Sequence, residues 1–414
     1  MAMPREWKKS REKFLLSMHH NGHAETTTVP VAQADDDDDD VSDEELSTEE
    51  LRKRQQCAID LKDVSAEMWL ITKLAMQLLW AFRVSSKWIV MLFRLLIFVM
   101  CLLPAFLRVF YFWLCSPRVI KNIRYGPRGR NLLDIYLVPH PHKRQPVVVF
   151  LSGGAWIIGY KAWGALMGRV LSAYGILVVM PDYRNFPQGI LPDMMQDANV
   201  AMQWVFENVH TFGGDPDNVT YIGQSAGAHI GACVLIEAVE NPSFATWQPS
   251  RLRNFIGISG PYNTNESMEV FHAHGLDRQV FAAIMDQDVL KYSPTDRVAR
   301  LPKATATMFP AMHLFHGTAD RTVPWSSSQS FADALVGIGV DAHIKFYARK
   351  THTDPIIEDP IQGDDPLLSD ILTIIRKSSP AESPQPRPDH LRFRPPGAML
   401  PAFLVHAARR VNPF

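Results

Sequence analysis

Cysteine is scarce in this chain: four in 414 residues, at Cys57, Cys101, Cys115 and Cys233. None is spaced as CxxC or as a zinc-ligand set, and three lie in or near apolar helical stretches. That excludes a disulfide framework and fits a catalytic part working in a reducing compartment. Excess charge is also missing. Lys and Arg number 42 against 43 Asp and Glu, for a net charge of −1. A nucleic-acid binder driven by bulk positive charge is excluded, so no nucleic-acid partner is expected. The N-terminus lacks the pattern of a signal peptide. Arg5, Lys8, Lys9, Arg11 and Lys13 mix with Glu6 and Glu12, and no apolar core comes after them. No internal repeat is visible.

The chain is 47% apolar, enough for a sizeable core. At about 100–200 residues per domain, the length allows one large domain with extensions, or two to three small ones. Residues 31–50 hold eleven acids and no base, including the run Asp35–Asp40. Such a block repels itself and buries no apolar surface, so residues 1–60 are expected to be a disordered acidic tail.

Residues 88–115 are the most apolar stretch. A spanning helix needs about 20 apolar residues, which this stretch supplies. Arg94 and Arg108 interrupt it, and both would snorkel only near an interface. Met68–Phe82 is a weaker apolar segment carrying Lys73 and Gln77. One span, a two-helix hairpin and a helix lying in the interface remain open. Residues 61–116 are expected to be membrane-associated, the contrary reading being a helix that caps the domain. The bases just beyond it, Arg118, Lys121, Arg124, Arg128 and Arg130, put the rest of the chain on the cytosolic side. Asn218-Val219-Thr220 and Asn265-Glu266-Ser267 are sequons, and glycosylation of either would contradict that placement.

From residue 118 the pattern changes. Val119–Tyr125 and Leu132–Val138 read as a hairpin around Gly126-Pro127-Arg128-Gly129. Val147–Leu151, Ile176–Met180, Val219–Gly223, Phe255–Ser259 and Met312–His316 are short continuous apolar runs, the mark of strands buried on both faces. His343–Tyr347 makes another strand. Helical patterns fall between or after them at Met194–Val209, Ala226–Val239, Ser326–Val336 and Pro366–Ile375. This alternation implies a mostly parallel sheet with helices on both faces, over residues 117–379. Residues 380–414, Pro-rich and then apolar, read as an extended tail whose end docks back.

The sharpest motif is Gly223-Gln224-Ser225-Ala226-Gly227, which comes after an apolar strand and opens a helix of small residues. A serine on so tight a strand-to-helix turn is thrust above the sheet edge, with a helix N-terminus beside it to favour negative charge. Its hydroxyl needs a base, and in this architecture Asp or Glu and then His come after the serine in the chain. Asp320 lies at the end of Met312–Asp320, and His352 lies in the loop after the last strand. Ser225, Asp320 and His352 thus come in order, each just past a strand's carboxyl end, where ligand chemistry sits in open sheets.

Other candidates are weaker. His313 and His316 lie within a strand and read as structural. His229 is one turn into the helix and points away from Ser225. Asp341 is at the wrong edge, Asp182 organises the loop Tyr183–Gly189, and Asp354 is the one rival to Asp320. The oxyanion needs backbone donors. The Ala226 amide is one, and the loop Ser152-Gly153-Gly154-Ala155-Trp156 supplies the others, since glycine lets backbone approach closely. This machinery performs acyl transfer through an acyl-enzyme and needs no metal or organic cofactor. Trp156, Trp163, Phe186 and Trp247 are candidates to line an apolar channel. Residues 241–300 are long enough to roof it, with Phe271 and Phe281 facing in.

Several stretches carry a family resemblance. They are Ser152–Tyr160, Asp182–Gly189, Gly213–Asp217, Gly223–Ile230, His316–Pro324 and Lys350–Pro360, together with the apolar segment before the catalytic domain and the ending Arg409–Phe414. Over roughly residues 60–414 the chain resembles plant isoprenylcysteine alpha-carbonyl methylesterase. The resemblance implies an α/β-hydrolase fold behind an N-terminal membrane-anchoring helical region. It implies hydrolysis of the methyl ester on a prenylated C-terminal cysteine, free or on a protein, at endoplasmic reticulum and Golgi membranes. Ser225, Asp320 and His352 match the family's triad. Gly153–Gly154 and Gln224–Ala226, with Ala155, match its oxyanion and substrate contacts. The alternatives are a membrane-bound carboxylesterase or kynurenine-formamidase-like hydrolase of another substrate, and a non-catalytic receptor on the same scaffold.

Overall fold

The computed structural model describes residues 86–139, 144–379 and 398–413, with residues 69, 72, 73 and 76 besides. The acidic block 31–50, most of Met68–Phe82 and the proline-rich run 380–396 lie outside the described residues.

The strands are β1 (Val119–Arg124), β2 (Leu132–Tyr136), β3 (Gln145–Leu151), β4 (Leu177–Pro181), β5 (Gly214–Gln224), β6 (Leu252–Ile258), β7 (Ala311–Gly317) and β8 (Ala342–Tyr347). The helices are α1 (Ser86–Cys115), α2 (Ala165–Ala173), α3 (Leu191–Asn208), α4 (Ala226–Glu240), α5 (Thr264–Ala273), α6 (Arg278–Ile284), α7 (Pro294–Val298), α8 (Trp325–Ile338), α9 (Glu358–Gln362), α10 (Pro366–Ser378) and α11 (Ala402–Val411). One sheet holds all eight strands in the order β1-β2-β4-β3-β5-β6-β7-β8. The β1–β2 and β2–β4 pairs are antiparallel, and every later pair is parallel.

Sequence explains the pairing. Every residue of β3 and of β4 is buried, as strands covered on both faces require. At the edge, β8 alternates exposed His343 and Lys345 with half-buried Ile344 and Phe346, which blunts an open strand edge. The chain steps from β3 to β4 on one side, then returns past β3 to β5 on the other. The direction of sheet growth therefore reverses between β3 and β5, the switch point beyond whose carboxyl ends ligand chemistry sits in open sheets. The loops carrying Gly153 and Ser225 leave from those two ends.

Helix α1 is built into this unit. Phe98, Leu102, Ala105, Val109 and Trp113 recur every three or four residues and are buried. They share one apolar cluster with Leu166 and Val170 of α2 and Val405 and Ala408 of α11. Burying the four large side chains stabilises the packing by roughly 6–12 kcal/mol as an upper estimate. Helix α1 is therefore a structural member of the fold. Polar ties run its length. Trp113 Nε1 donates to Asp134 (2.8 Å), Arg108 to the Met399 carbonyl (2.7 Å), and Arg94 to the carbonyls of Val411 (3.2 Å) and Asn412 (2.9 Å). The opposite face exposes Phe93, Leu96, Met100, Leu107 and Tyr111.

Candidate active site

Ser225 sits where β5 becomes α4, at φ 52° and ψ −120°. Few non-glycine residues adopt this conformation, and the surroundings enforce it. The Ser225 amide donates to the Ile258 carbonyl (2.8 Å), which pins the turn to β6. A Cβ at Gly223 would lie 2.5 Å from the Ala228 Cα, and one at Gly227 would lie 2.1 Å from the Leu151 carbonyl oxygen. Only glycine fits on either side of the serine, because the first turn of α4 presses against both β5 and the end of β3.

Asp320 lies just after β7 and is buried. Its Oδ1 accepts from the amides of Thr322 and Val323, both at 2.9 Å. Its Oδ2 accepts from His352 Nδ1 at 2.6 Å and lies 3.1 Å from His316 Nε2. Burial pushes this carboxyl's pKa up. The His352 charge and the hydrogen bonds from His316 and His352 outweigh burial and hold it well below the usual carboxylate range. The rival Asp354 is engaged elsewhere. One oxygen accepts from Thr351 and the other from Arg409 Nε (2.7 Å).

With Nδ1–H given to Asp320, His352 Nε2 is left as an acceptor. It lies 3.3 Å from Gln224 Nε2. The other end of that amide, Oε1, accepts from the Gly153 amide at 3.2 Å. Gln224 thus bridges the imidazole and the glycine loop, and no described hydrogen bond joins Ser225 Oγ to His352. Catalytic hydrogen bonds are often long or poorly aligned until a substrate is bound.

The loop after β3 approaches the serine closely. A Cβ at Gly153 would meet Gln224 Oε1 at 2.2 Å and the Ser225 Cβ at 2.9 Å. Gly154 has φ 135°, with Ala155 and Trp156 next at φ 48° and 60°. This positive-φ backbone turns the loop sharply where it passes Ser225. Among the described residues, no carbonyl accepts from the amides of Gly154, Ala155 or Ala226. Ser152 faces the scaffold, its hydroxyl donating to the Tyr160 carbonyl (3.0 Å).

Trp156 is fully buried. Its ring centre lies 5.8 Å from Phe271 of α5 and 5.6 Å from Phe281 of α6, and its Nε1 donates to His229 Nδ1 (3.2 Å). Segment 241–300 therefore reaches the glycine loop with both aromatics expected there. His229 is held by the Tyr292 carbonyl (2.7 Å), and burial lowers its pKa to about 4, so it stays neutral. Two channel candidates serve elsewhere. Trp247 donates to Asn199 (2.8 Å) and packs on Phe206, while Trp163 lies half in solvent against Tyr160. Asp182 pairs with Arg130 (2.7 Å), and His313 of β7 stacks on His343 of the edge strand β8. Two contacts escape sequence reasoning: His316 on Asp320, and the Gln224 bridge. The i, i+4 spacing of His316 and Asp320 is the one signal for the first.

A mostly parallel eight-stranded sheet, a strained serine elbow and a buried Asp–His pair at the same sheet edge define a class, the α/β-hydrolase fold. Comparisons with known proteins give its family. The family described as BD-FAE matches residues 133–335. Esterase B from Lactobacillus rhamnosis is similar in structure, with a TM-score of 0.49 and 18% identity over 57% of this chain and 79% of that one. A probable isoprenylcysteine alpha-carbonyl methylesterase of Oryza sativa subsp. japonica is 39% identical over 361 residues, 86% of either chain. The isoprenylcysteine alpha-carbonyl methylesterase of Arabidopsis thaliana is 38% identical over 369 residues, 87% of this chain and 86% of that one. The chain is a carboxylic-ester hydrolase. It belongs to the isoprenylcysteine alpha-carbonyl methylesterase family.

Proposed function

We propose that this chain is a serine esterase that hydrolyses the methyl ester of a farnesylated or geranylgeranylated C-terminal cysteine, reversing its carboxyl methylation. The observation that carries the mechanism is the 2.6 Å bond from His352 Nδ1 to Asp320, formed beside a serine held at φ 52°. Gln224 withdraws, and His352 Nε2 takes the Ser225 proton as Oγ attacks the ester carbonyl. The amides of Ala226, Gly154 and the released Gly153 receive the oxyanion. His352 returns the proton to the departing methoxide, and methanol leaves. Water, deprotonated by the same imidazole, then releases the acid and frees Ser225.

The substrate is supported by the curated relatives' names and by the apolar setting. Trp156, Phe271 and Phe281 adjoin the glycine loop. The leaving group is only methanol, whereas the acyl side carries a prenyl chain worth about 0.8 kcal/mol per buried CH₂. Such a substrate resides in a bilayer, so the enzyme meets it there.

Helix α1 supports the membrane side of this reading. Leu92–Cys115 is long and apolar enough to cross a membrane. Its inner face is committed to α2 and α11, and its outer stripe is apolar and unpartnered among the described residues. We read it as lying in the interface, outer stripe toward lipid. Endoplasmic reticulum and Golgi membranes, with the catalytic unit cytosolic, are the location the family resemblance and the bases after residue 116 favour.

A fluorophosphonate probe on membranes containing the chain tests the mechanism. Wild type labels at Ser225; Ser225→Ala abolishes labelling and His352→Ala slows it strongly. Undiminished labelling of folded Ser225→Ala would reject the nucleophile.

A further inference from the structure

The loop carrying His352 is held by the C-terminal end of the chain. Asn412 Nδ2 lies 3.2 Å from Thr351 Oγ1 and 2.8 Å from Thr353 Oγ1, the residues on either side of His352, and 2.7 Å from Glu358 Oε1. Arg409 donates to Asp354 (2.7 Å), Asp359 (2.6 Å) and Gln362 (2.6 Å). Lys350 completes the set on Asp359 (2.5 Å). Asp354, Glu358 and Asp359 are all buried. Asp354 and Asp359 repel, and all three buried carboxyls resist desolvation, so the donors that reach this segment help to hold its shape. Two of those donors come from about 50–60 residues downstream.

The clamp is itself anchored. Val405 and Ala408 of α11 pack in the α1 cluster, and Arg94 of α1 takes the carbonyls of Val411 and Asn412. The Met399 amide donates to the Ile361 carbonyl (2.7 Å). Contact is therefore continuous from α1 through the C-terminal helix to the imidazole loop.

We infer that Arg409 and Asn412 are positioning residues for His352: they set the height and orientation of its loop so that the imidazole meets Asp320 and Ser225 together. The inference rests on the triad proposed above. Among the described residues, the hydrogen bonds of both side chains go to the segment around His352, at Thr351, Thr353, Asp354, Glu358, Asp359 and Gln362. Their loss thus displaces the base and leaves the substrate-binding surface intact. A displacement near 1 Å at a catalytic group costs on the order of 10²-fold in rate.

The test uses the full chain in membranes, with Arg409→Gln, Arg409→Lys and Asn412→Ala. Turnover of a prenylcysteine methyl ester gives kcat and KM. Fluorophosphonate labelling gives a rate and an end-point, the end-point counting competent sites. Positioning predicts a kcat reduced about 10- to 100-fold, KM within about twofold, and labelling slowed to a wild-type end-point. Arg409→Lys, which restores charge but not the three-way fork, recovers part of the rate. If the loss is wholly in the end-point, with each surviving site working at wild-type rate, the residues are structural only and the inference fails. Wild-type kcat in all three variants also overturns it. The triad reading fails separately, if Ser225→Ala or His352→Ala retains turnover.

Discussion

Replacing Asp320 with Asn changes one oxygen for an NH₂, and the surrounding hydrogen bonds determine the outcome. The two carboxylate oxygens face four donors: two backbone amides on Oδ1, and His352 and His316 on Oδ2. The new NH₂ must oppose one pair. The amides of Thr322 and Val323 cannot surrender their hydrogens, and leaving both unsatisfied costs about 2–6 kcal/mol. His352 can relocate its own, while His316 Nε2 keeps its hydrogen on the Val323 carbonyl (3.0 Å). The introduced asparagine therefore keeps its oxygen on the amides and turns its NH₂ to the histidines. His352 answers by moving its proton from Nδ1 to Nε2, the nitrogen that should accept from Ser225. The fold is spared and the base is lost. A triad in the wrong tautomer is slower by about 10⁴-fold, or about 5.5 kcal/mol of transition-state stabilisation. The assay is methyl-ester turnover in membranes, with thermal unfolding as the fold control. We expect kcat to fall by about 10³- to 10⁴-fold while Tm moves by only a few degrees. A folded Asp320→Asn enzyme within about tenfold of wild type would refute this role for the Asp–His pair.

The same geometry makes four further outcomes testable. Gln224→Ala removes two hydrogen bonds that precede attack, worth about 1–3 kcal/mol together, so a small organophosphate should label Ser225 at least severalfold faster; slower labelling would mean that Gln224 holds His352 in place. Glu358 has a pKa raised to about 8, chiefly by burial and then by Asp354. The folded state thus binds its proton more tightly than the unfolded chain, and this contribution to stability declines as pH rises from about 5 to 8. Glu358→Gln should flatten that decline in Tm, and parallel Tm curves for variant and wild type across the window would contradict the buried-acid reading. Leu96→Glu with Met100→Glu, on the outer stripe of α1, should weaken membrane retention while detergent-solubilised activity survives, and undiminished retention would reject an interfacial α1. Asn265 is exposed whereas Asn218 is buried against Ser379, so Asn265 is the topology reporter: it stays unglycosylated with a cytosolic catalytic unit, and a glycan there reverses the orientation.

Much of the sheet is legible in the sequence because parallel strands announce themselves as continuous apolar runs. Val147–Leu151, Ile176–Met180 and Val219–Gly223 fall within a residue or a few of β3, β4 and β5. The elbow is legible because its glycines are forced by backbone contacts that admit no other residue. The order of Ser225, Asp320 and His352 along the chain reflects topology, which local pattern and connectivity together define. The features that stay hidden depend on distant partners. Residues 88–115 are apolar nearly all round, so nothing local says which face α11 and α2 will cover. The stretch 380–414, expected to be an extended tail whose end docks back, contains α11, a ten-residue helix too short to be stable alone that docks on α1. Arg94 and Arg108, read as interruptions, instead bind carbonyls about 290–320 residues away. Trp163 and Trp247 are as aromatic as Trp156, and only the tertiary fold separates the one at the site from the other two.

Comparative turnover of three methyl or aryl esters by membranes containing this chain tests the central claim most directly. Farnesylcysteine methyl ester, the unprenylated cysteine methyl ester and a short aryl ester would be assayed side by side, with Ser225→Ala as control. A prenylcysteine methylesterase should show a kcat/KM for the prenylated ester far above both others, lost in Ser225→Ala. Equal or faster turnover of the short aryl ester would contradict that claim, making the chain an esterase of broader reach that retains the same serine.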